Sequence, residues 1–470
     1  MLEAEVFMEF LKEKDLKINL FDCYEKCDLR ISDYSAGIKR MWTDVINSEY
    51  AISNGCLVVK DCYKGEYSFN LPVPFEYGAS IGGALKDIAA YCRDAFIPMR
   101  LDYVPRDKIG LITTLFPTVE VTLENEISDY LYLAEDFKSF AGKRYSGQRN
   151  HIKKFYTQCP EAKFTTLEED DKPLIEAFFE HFKREFENTT EGAYDELLRA
   201  EMLSLSFDND RFLRAGFVNE GALISFSLCE ICGDVAINHI EKAFTEYVGV
   251  YPATAQAFAK ILPQNVIYLN REDDAGVRGL RISKLQYGPC DKLKKYSVKV
   301  NNELSNTNEI PVITTERLVL DAITADDAEK YFRLCTDAER NKYWGYDYTE
   351  SVSDSQTDFF YLDQKKDFDN RCAMNLAIRY KGRFAGEVIL YDFDFCGTCE
   401  IGVRILPEFD RRGIGKEAMN AVAEYAIYSL GIDKVRAKCF KENQPSKRML
   451  SAIMNKAGED EDFYYFTKSV

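Results

Sequence analysis

The sequence predicts an α/β fold with α+β mixed sheets, divided among more than one domain. Three observations predict it. The chain has 470 residues, more than one hydrophobic core ordinarily organises, so two or three domains are expected. Apolar residues make up 46% of it, a normal globular share, and 32 Phe with 29 Tyr favour sheet-rich packing over helical bundles. Short β-like runs alternate with amphipathic helical runs, in an order that recurs after residue 313.

In the first 160 residues a hairpin-like pair, Cys56–Lys60 and Tyr67–Leu71, precedes a helix at Gly83–Phe96 and strands at Met99–Tyr103 and Thr118–Thr122. Cys159-Pro160 ends a basic helical run and puts a boundary near Gln158–Lys163. Beyond it Lys163–Leu167 reads as a strand and Asp171–Glu185 as an amphipathic helix. Arg211–Val218 and Ala222–Cys229 read as strands joined by the turn Asn219-Glu220-Gly221. Val235–Ile240 is a strand, Thr254 to Ile261 a helix and Val266–Leu269 a short strand. The Asn-rich, polar stretch Val300–Pro311 reads as a linker. The order then repeats with strand Ile313–Asp321, helix Thr324–Thr336 and a hairpin of Asn375–Tyr380 and Phe384–Phe393 around Lys381-Gly382. Strand Cys399–Leu406, helix Gly413–Leu430 and strand Lys434–Phe440 follow. The expected division is 1–162, 163–300, a linker at 301–311, and 312–470.

Net charge is −18, and a field of that sign repels phosphate polyanions, which weighs against nucleic acid as the main partner. The 14 cysteines are scattered. Cys229-Glu-Ile-Cys232 and Cys396-Gly-Thr-Cys399 have CxxC spacing but lie far apart, so they read as thiols of a reducing cytoplasm, and no metal ligands are assigned. Met1–Leu20 carries charges throughout and has no apolar core of a secretory leader, and no apolar stretch has the length of a bilayer span. A cytoplasmic location is expected.

The segment from Glu400 to Ala418 carries the clearest chemistry. A strand ends at Pro407, a loop holds Arg411, Arg412, Gly413, Ile414, Gly415 and Lys416, and a helix follows. The first amides of a helix lack intrahelical partners and, with the helix dipole, attract an anion. The glycines admit a phosphate close to the backbone, and Arg411, Arg412 and Lys416 add positive charge: this is chemistry for a pyrophosphate. The segment resembles motif A of the GNAT N-acetyltransferases, Gln/Arg-x-x-Gly-x-Gly/Ala. Ala385-Gly386, the preceding hairpin, Asn443 and Ser446 fall where that family has them, and Thr315-Glu316-Arg317-Leu318-Val319-Leu320 resembles the start of its ribosomal-protein acetyltransferase branch. The resemblance covers residues 312–470. It implies acetyl-CoA or another acyl-CoA held by the 411–416 loop, Asn443 and Ser446, and attack on the thioester by a primary amine of a small molecule or a peptide N-terminus. Such a reaction needs a base, for which Glu400 is the candidate and Glu387 the second. Asp410 stands where the family has Gln or Arg, and Ala457-Gly458-Glu459 replaces its Gly-Phe.

Three runs stand out earlier in the chain: Phe140–Phe155 with Lys143, Arg144, Arg149, Lys153 and Lys154; His239–Ala243; and Tyr268–Lys284. They resemble the family of the phosphatidylglycerol lysyltransferase C-terminal domain, over nearly all of residues 1–300. That resemblance implies two GNAT-like halves forming one tandem unit, hence three GNAT-like modules in the chain. It also implies a cleft lined by Lys143, Arg144, Arg149, Asn150, Glu241, Lys242, Asn270, Arg271, Glu272, Asp273 and Arg281. An aminoacyl-tRNA-dependent aminoacyltransferase is the alternative activity on this ground, disfavoured by the acidic charge; a non-catalytic ligand-binding protein is the other. His151 and His239 read as structural histidines. Oligomeric state has no signature in the sequence.

Overall fold

The computed structural model describes residues 8–186, 191–207, 211–344 and 356–470. The chain divides into two units, one of residues 1–85, 100–111 and 121–298, the other of residues 86–99, 112–120 and 299–470.

Unit 1 is organised by one mixed sheet. Its longer strands are β1 (Glu49–Ser53), β2 (Cys56–Tyr63), β3 (Glu66–Asn70), β4 (Met99–Pro105), β5 (Val119–Leu133), β6 (Lys163–Thr166), β7 (Phe212–Asn219), β8 (Ser225–Cys232), β9 (Val235–Ala243), β10 (Tyr268–Asn270) and β11 (Asp291–Val300). They lie in the order β1-β2-β3-β4-β11-β5-β10-β9-β8-β7-β6. The late strand β11 is inserted between the early strands β4 and β5, so the sheet of this unit joins strands far apart in the chain. Central strands such as β2 and β8 are buried on both faces, which is why Leu57-Val58-Val59 and Phe226 to Cys229 read as near-continuous apolar runs. The helices are α1 (Ala36–Ile46), α2 (Ser146–Gln158), α3 (Lys172–Phe186), α4 (Glu191–Ser204), α5 (Val250–Ile261) and α6 (Arg278–Gln286). In α3 the residues Ile175, Phe178, Phe179 and Phe182 fall at helical spacing and are all buried, so one stripe packs inward.

Unit 2 holds a second mixed sheet of β12 (Leu318–Ala322), β13 (Met374–Tyr380), β14 (Arg383–Tyr391), β15 (Thr398–Ile405), β16 (Lys434–Phe440), β17 (Asn455–Glu459) and β18 (Phe463–Ser469), in the order β12-β13-β14-β15-β16-β18-β17. A short strand Ile313–Thr314 flanks β12. Lys381 (φ 50°) and Gly382 (φ 72°) both adopt the left-handed conformation that matches a two-residue hairpin turn to strand twist. The helices used below are α7 (Ala328–Thr336), α8 (Ile414–Tyr425, continued by a π turn to Leu430) and α9 (Gln444–Leu450). Ile414, Ala418, Met419, Val422 and Ala423 bury one face of α8 in the core.

The mixed α/β class is the one expected, and most of the expected strands and helices are present within a few residues of their expected bounds, while β1, β11, α1, α4 and α6 have no counterpart among them. The strand expected at Thr118–Thr122 is the exception in unit 1: it continues to Leu133. Its first half is exposed and rich in Glu and Asn, which hid its extent. The Asn-rich 300–311 stretch is ordered rather than open coil: Asn302 accepts from the Leu304 amide, and Leu304 is fully buried. Among the described residues no helix is long and apolar enough to cross a membrane.

Candidate functional site

In unit 2 the sheet splits at Glu400. The parallel strands β15 and β16 pair over Thr398–Glu400 and Lys434–Arg436 and no further. β15 runs on to Ile405 bonded only to β14, and β16 to Phe440 bonded only to β18. A wedge therefore opens beyond Glu400 and leads along β15 to the 406–416 loop. There Arg411 (φ 58°) and Gly413 (φ 72°) are left-handed, and Gly413 is the N-cap residue of α8. Glu417 N makes the first helical bond, to Gly413 O at 3.1 Å, so the amides just before it are the donors an anion would meet. Arg411, Arg412 and Lys416 are exposed around them. This donor set and its charge fit a diphosphate.

Two ion pairs bracket the loop. Arg317 bonds Glu417 through Nε (2.7 Å) and Nη2 (2.6 Å), and its Nη1 donates to Arg412 O at 2.9 Å. Before the loop, Asp410 accepts from both terminal nitrogens of Arg340, at 2.9 and 2.7 Å. The carboxylate that stands in place of the family's Gln or Arg is thus neutralised.

The two candidate bases differ in kind. Glu400 is mostly buried at the apex of the wedge; Tyr391 OH donates to its Oε1 at 2.7 Å, and Lys438 Nζ lies 3.8 Å away. Burial first and Glu400 second hold the Tyr391 hydroxyl protonated well beyond the usual phenol range. Glu387 is 0% exposed; Arg404 Nε donates to its Oε1 at 2.6 Å and Asn375 to its Oε2 at 3.1 Å. It is the counter-ion of a buried arginine that also bonds Asn341 and lies 4.2 Å from the Trp344 ring centroid. Fully buried and bonded to Arg404 and Asn375, this carboxylate has no open face toward an acceptor amine, which argues against its expected role. The adjoining Gly386 is required by packing, since a Cβ there would lie 2.2 Å from Arg404 O. Asn443 caps α9 by accepting from Ser446 N at 3.1 Å, so both residues shape the start of that helix.

In unit 1 the expected cleft residues are divided between exposed, half-buried and fully buried positions. Lys143, Arg144, Arg149 and Asn150 are exposed around the start of α2. Arg144 pairs with Asp136 at 2.5 Å, and Arg149 donates to the carbonyls of Phe140 and Gly142. Arg281 is held by Asp274 at 2.8 Å, and Lys242 is half-buried on β9. Asn270 is fully buried and bonded to Arg30 O and Asp129, so it cannot line an open cleft. Three of the expected residues do converge: Arg271 pairs with Glu241 at 2.7 Å and stacks 4.5 Å over Tyr287, beside Glu272. Asp273 is half-buried, and burial raises its carboxyl pKa. His239 links Glu272 (2.9 Å) to Glu230 (3.1 Å), and Glu230 in turn accepts from Ala36 and Gly37 at the N-terminus of α1. Burial alone would lower the His239 pKa, but the two carboxylates outweigh it and raise it to about 9. The strand–loop–helix of β9 and α5 is shut: a Cβ on Gly249 would lie 2.0 Å from His151 O, and Gln158 bonds Glu246 O and Val248 N.

The Acetyltransferase (GNAT) domain family matches residues 317–453, and the Phosphatidylglycerol lysyltransferase, C-terminal family matches residues 25–299. The chain belongs to both families, one in each region. The uncharacterized N-acetyltransferase YoaA of Bacillus subtilis is 30% identical over 145 residues, covering 30% of this chain and 80% of that protein. The uncharacterized N-acetyltransferase YnaD of the same organism is 26% identical over 141 residues, with the same coverage. A conserved protein of unknown function from Bacteroides thetaiotaomicron shares the fold, with TM-score 0.56 and 23% identity over 63% of this chain and all of that one.

Within the GNAT acyltransferase domain, sequence reasoning missed Arg340, Tyr391 and Lys438. Tyr391 and Glu400 are direct cross-strand partners, a pairing readable once the hairpin register is fixed. Arg340 lies in the short helix Ala338–Asn341 and carries no motif.

Proposed function

We propose that unit 2 transfers an acyl group, acetyl foremost, from acyl-CoA to a primary amine of a small molecule or a peptide N-terminus. One observation carries this reading: the wedge between β15 and β16 has a carboxylate, Glu400, at its apex and leads to a helix-terminal anion site. The backbone of Arg412–Lys416 would hold the diphosphate, with Arg411, Arg412 and Lys416 as its charges. Bound acyl-CoA would supply the activated thioester. Glu400, oriented by Tyr391, takes the proton from the incoming ammonium or amine, and burial keeps that transfer from water. The overall acidic charge favours a cationic acceptor reaching the site.

The test is thiol release from acetyl-CoA by the full-length chain in the presence of small primary amines and short peptides. Amine-dependent release is expected; none with any acceptor at millimolar acetyl-CoA contradicts the reading. The convergence of Arg271, Glu241, Glu272 and His239 favours a second reading, aminoacyl transfer in unit 1. It gains if the same assay gives no thiol release but gives transfer when a charged tRNA replaces acetyl-CoA.

A further inference from the structure

We propose that Arg340 is a positioning residue for the acyl donor's diphosphate, acting through Asp410. The inference rests on the acyl-CoA reading of unit 2. Asp410 directly precedes Arg411, so an uncompensated carboxylate there would stand beside an incoming dianion and oppose it. The structure supplies the compensation from another element. Both terminal nitrogens of Arg340 bond the two oxygens of Asp410, the planar fork geometry that only arginine offers.

The pair differs from an ordinary surface ion pair, whose long side chains must be ordered to meet. Arg340 is delivered on a braced support. Asp337 caps its short helix by accepting from Arg340 N at 3.0 Å. Asn341, the next residue, donates to the carbonyls of Leu334, Cys335 and Asp337, which fixes the helix to the end of α7, and accepts from Arg404 of β15 at 2.6 Å. Arg340 Nε is buried and lacks a hydrogen-bond partner among the described residues, so the side chain's placement is set by Asp410 rather than by its own satisfaction.

The loop needs such an anchor. It turns through left-handed conformations at Arg411 and Gly413, and arginine is poorly suited to the first. Glu417 with Arg317 anchors the loop after the turn, and Asp410 with Arg340 anchors it before. Arg340 therefore does two things at once: it offsets a charge that would repel the diphosphate, and it fixes the residue that precedes the turn.

The experiment is a titration of the full-length protein with acetyl-CoA at low and at high ionic strength. Arg340→Ala is expected to weaken binding roughly tenfold at low salt and less at high salt, because salt screens the exposed Asp410 charge. Asp410→Asn added to Arg340→Ala is expected to restore affinity to within about threefold of wild type, since the repulsion is gone. Arg340→Lys should fall between, keeping the charge but losing the fork. A loss that Asp410→Asn does not rescue and that salt does not change would reduce Arg340 to a structural residue and overturn the proposal. So would an Arg340→Ala protein that binds as the wild type does. A wild-type chain that does not bind acetyl-CoA overturns the acyl-CoA reading and this proposal with it, an outcome distinct from the other two.

Discussion

Replacing Glu400 with glutamine is expected to slow acetyl transfer by about 10²- to 10⁴-fold, the usual contribution of a positioned general base. Glutamine keeps the shape of the side chain and can still accept from Tyr391 OH, which lies 2.7 Å from Oε1 in the wild type. It cannot take a proton. Because Glu400 sits at the apex of the wedge and not at the 411–416 loop, affinity for acetyl-CoA should be retained. The defect then falls on kcat rather than on binding, and stopped thiol-release assays with parallel titrations separate the two. Turnover within a few fold of wild type would remove Glu400 from the mechanism, and since Glu387 is tied to Arg404, the proton would then have to leave by another route, such as a water chain.

Raising the pH through the window from 6.5 to about 9 is expected to cost unit 1 stability, by an amount on the order of 3 kcal/mol. The imidazolium of His239 lies between Glu230 and Glu272, fully buried, and its folded pKa is raised from 6.5 to about 9. The proton is held more tightly folded than unfolded, so its contribution is complete below pH 6.5, declines as the unfolded chain deprotonates, and is gone above about pH 9. Denaturant melts of the full-length chain across that window should show the decline. The His239→Gln protein, less stable throughout, should lack that part of the slope. Parallel profiles for the two proteins would mean that the histidine is neutral in the folded state.

The parts of the site that were legible in the sequence are those whose signal is local. Pro407, Arg411, Gly413 and Gly415 lie within ten residues, and strand, loop and helix announce themselves in that order. The parts that were not legible depend on partners distant in the chain. Arg340 and Asp410 are 70 residues apart, Arg317 and Glu417 100 apart. Glu387 looked like a base because its partner lies on the next strand; Glu387 and Arg404 are register neighbours, and the pairing makes the carboxylate a counter-ion. Asn270 looked like a cleft residue amid charges, yet its amide bonds Asp129 and Arg30, 141 and 240 residues away, in the middle of the sheet. The insertion of β11 between β4 and β5 had no local sign, because strand neighbours are chosen by packing and not by sequence order.

The 411–416 loop is the proposed seat of acyl-CoA in unit 2. Titration calorimetry of the full-length chain with acetyl-CoA, on wild type and Gly413→Glu, tests it. At φ 72° any side chain is strained, and glutamate adds a negative charge at the helix N-terminus, so binding is expected to weaken by about 100-fold or more. Undiminished affinity in Gly413→Glu would place the ligand elsewhere and contradict the account.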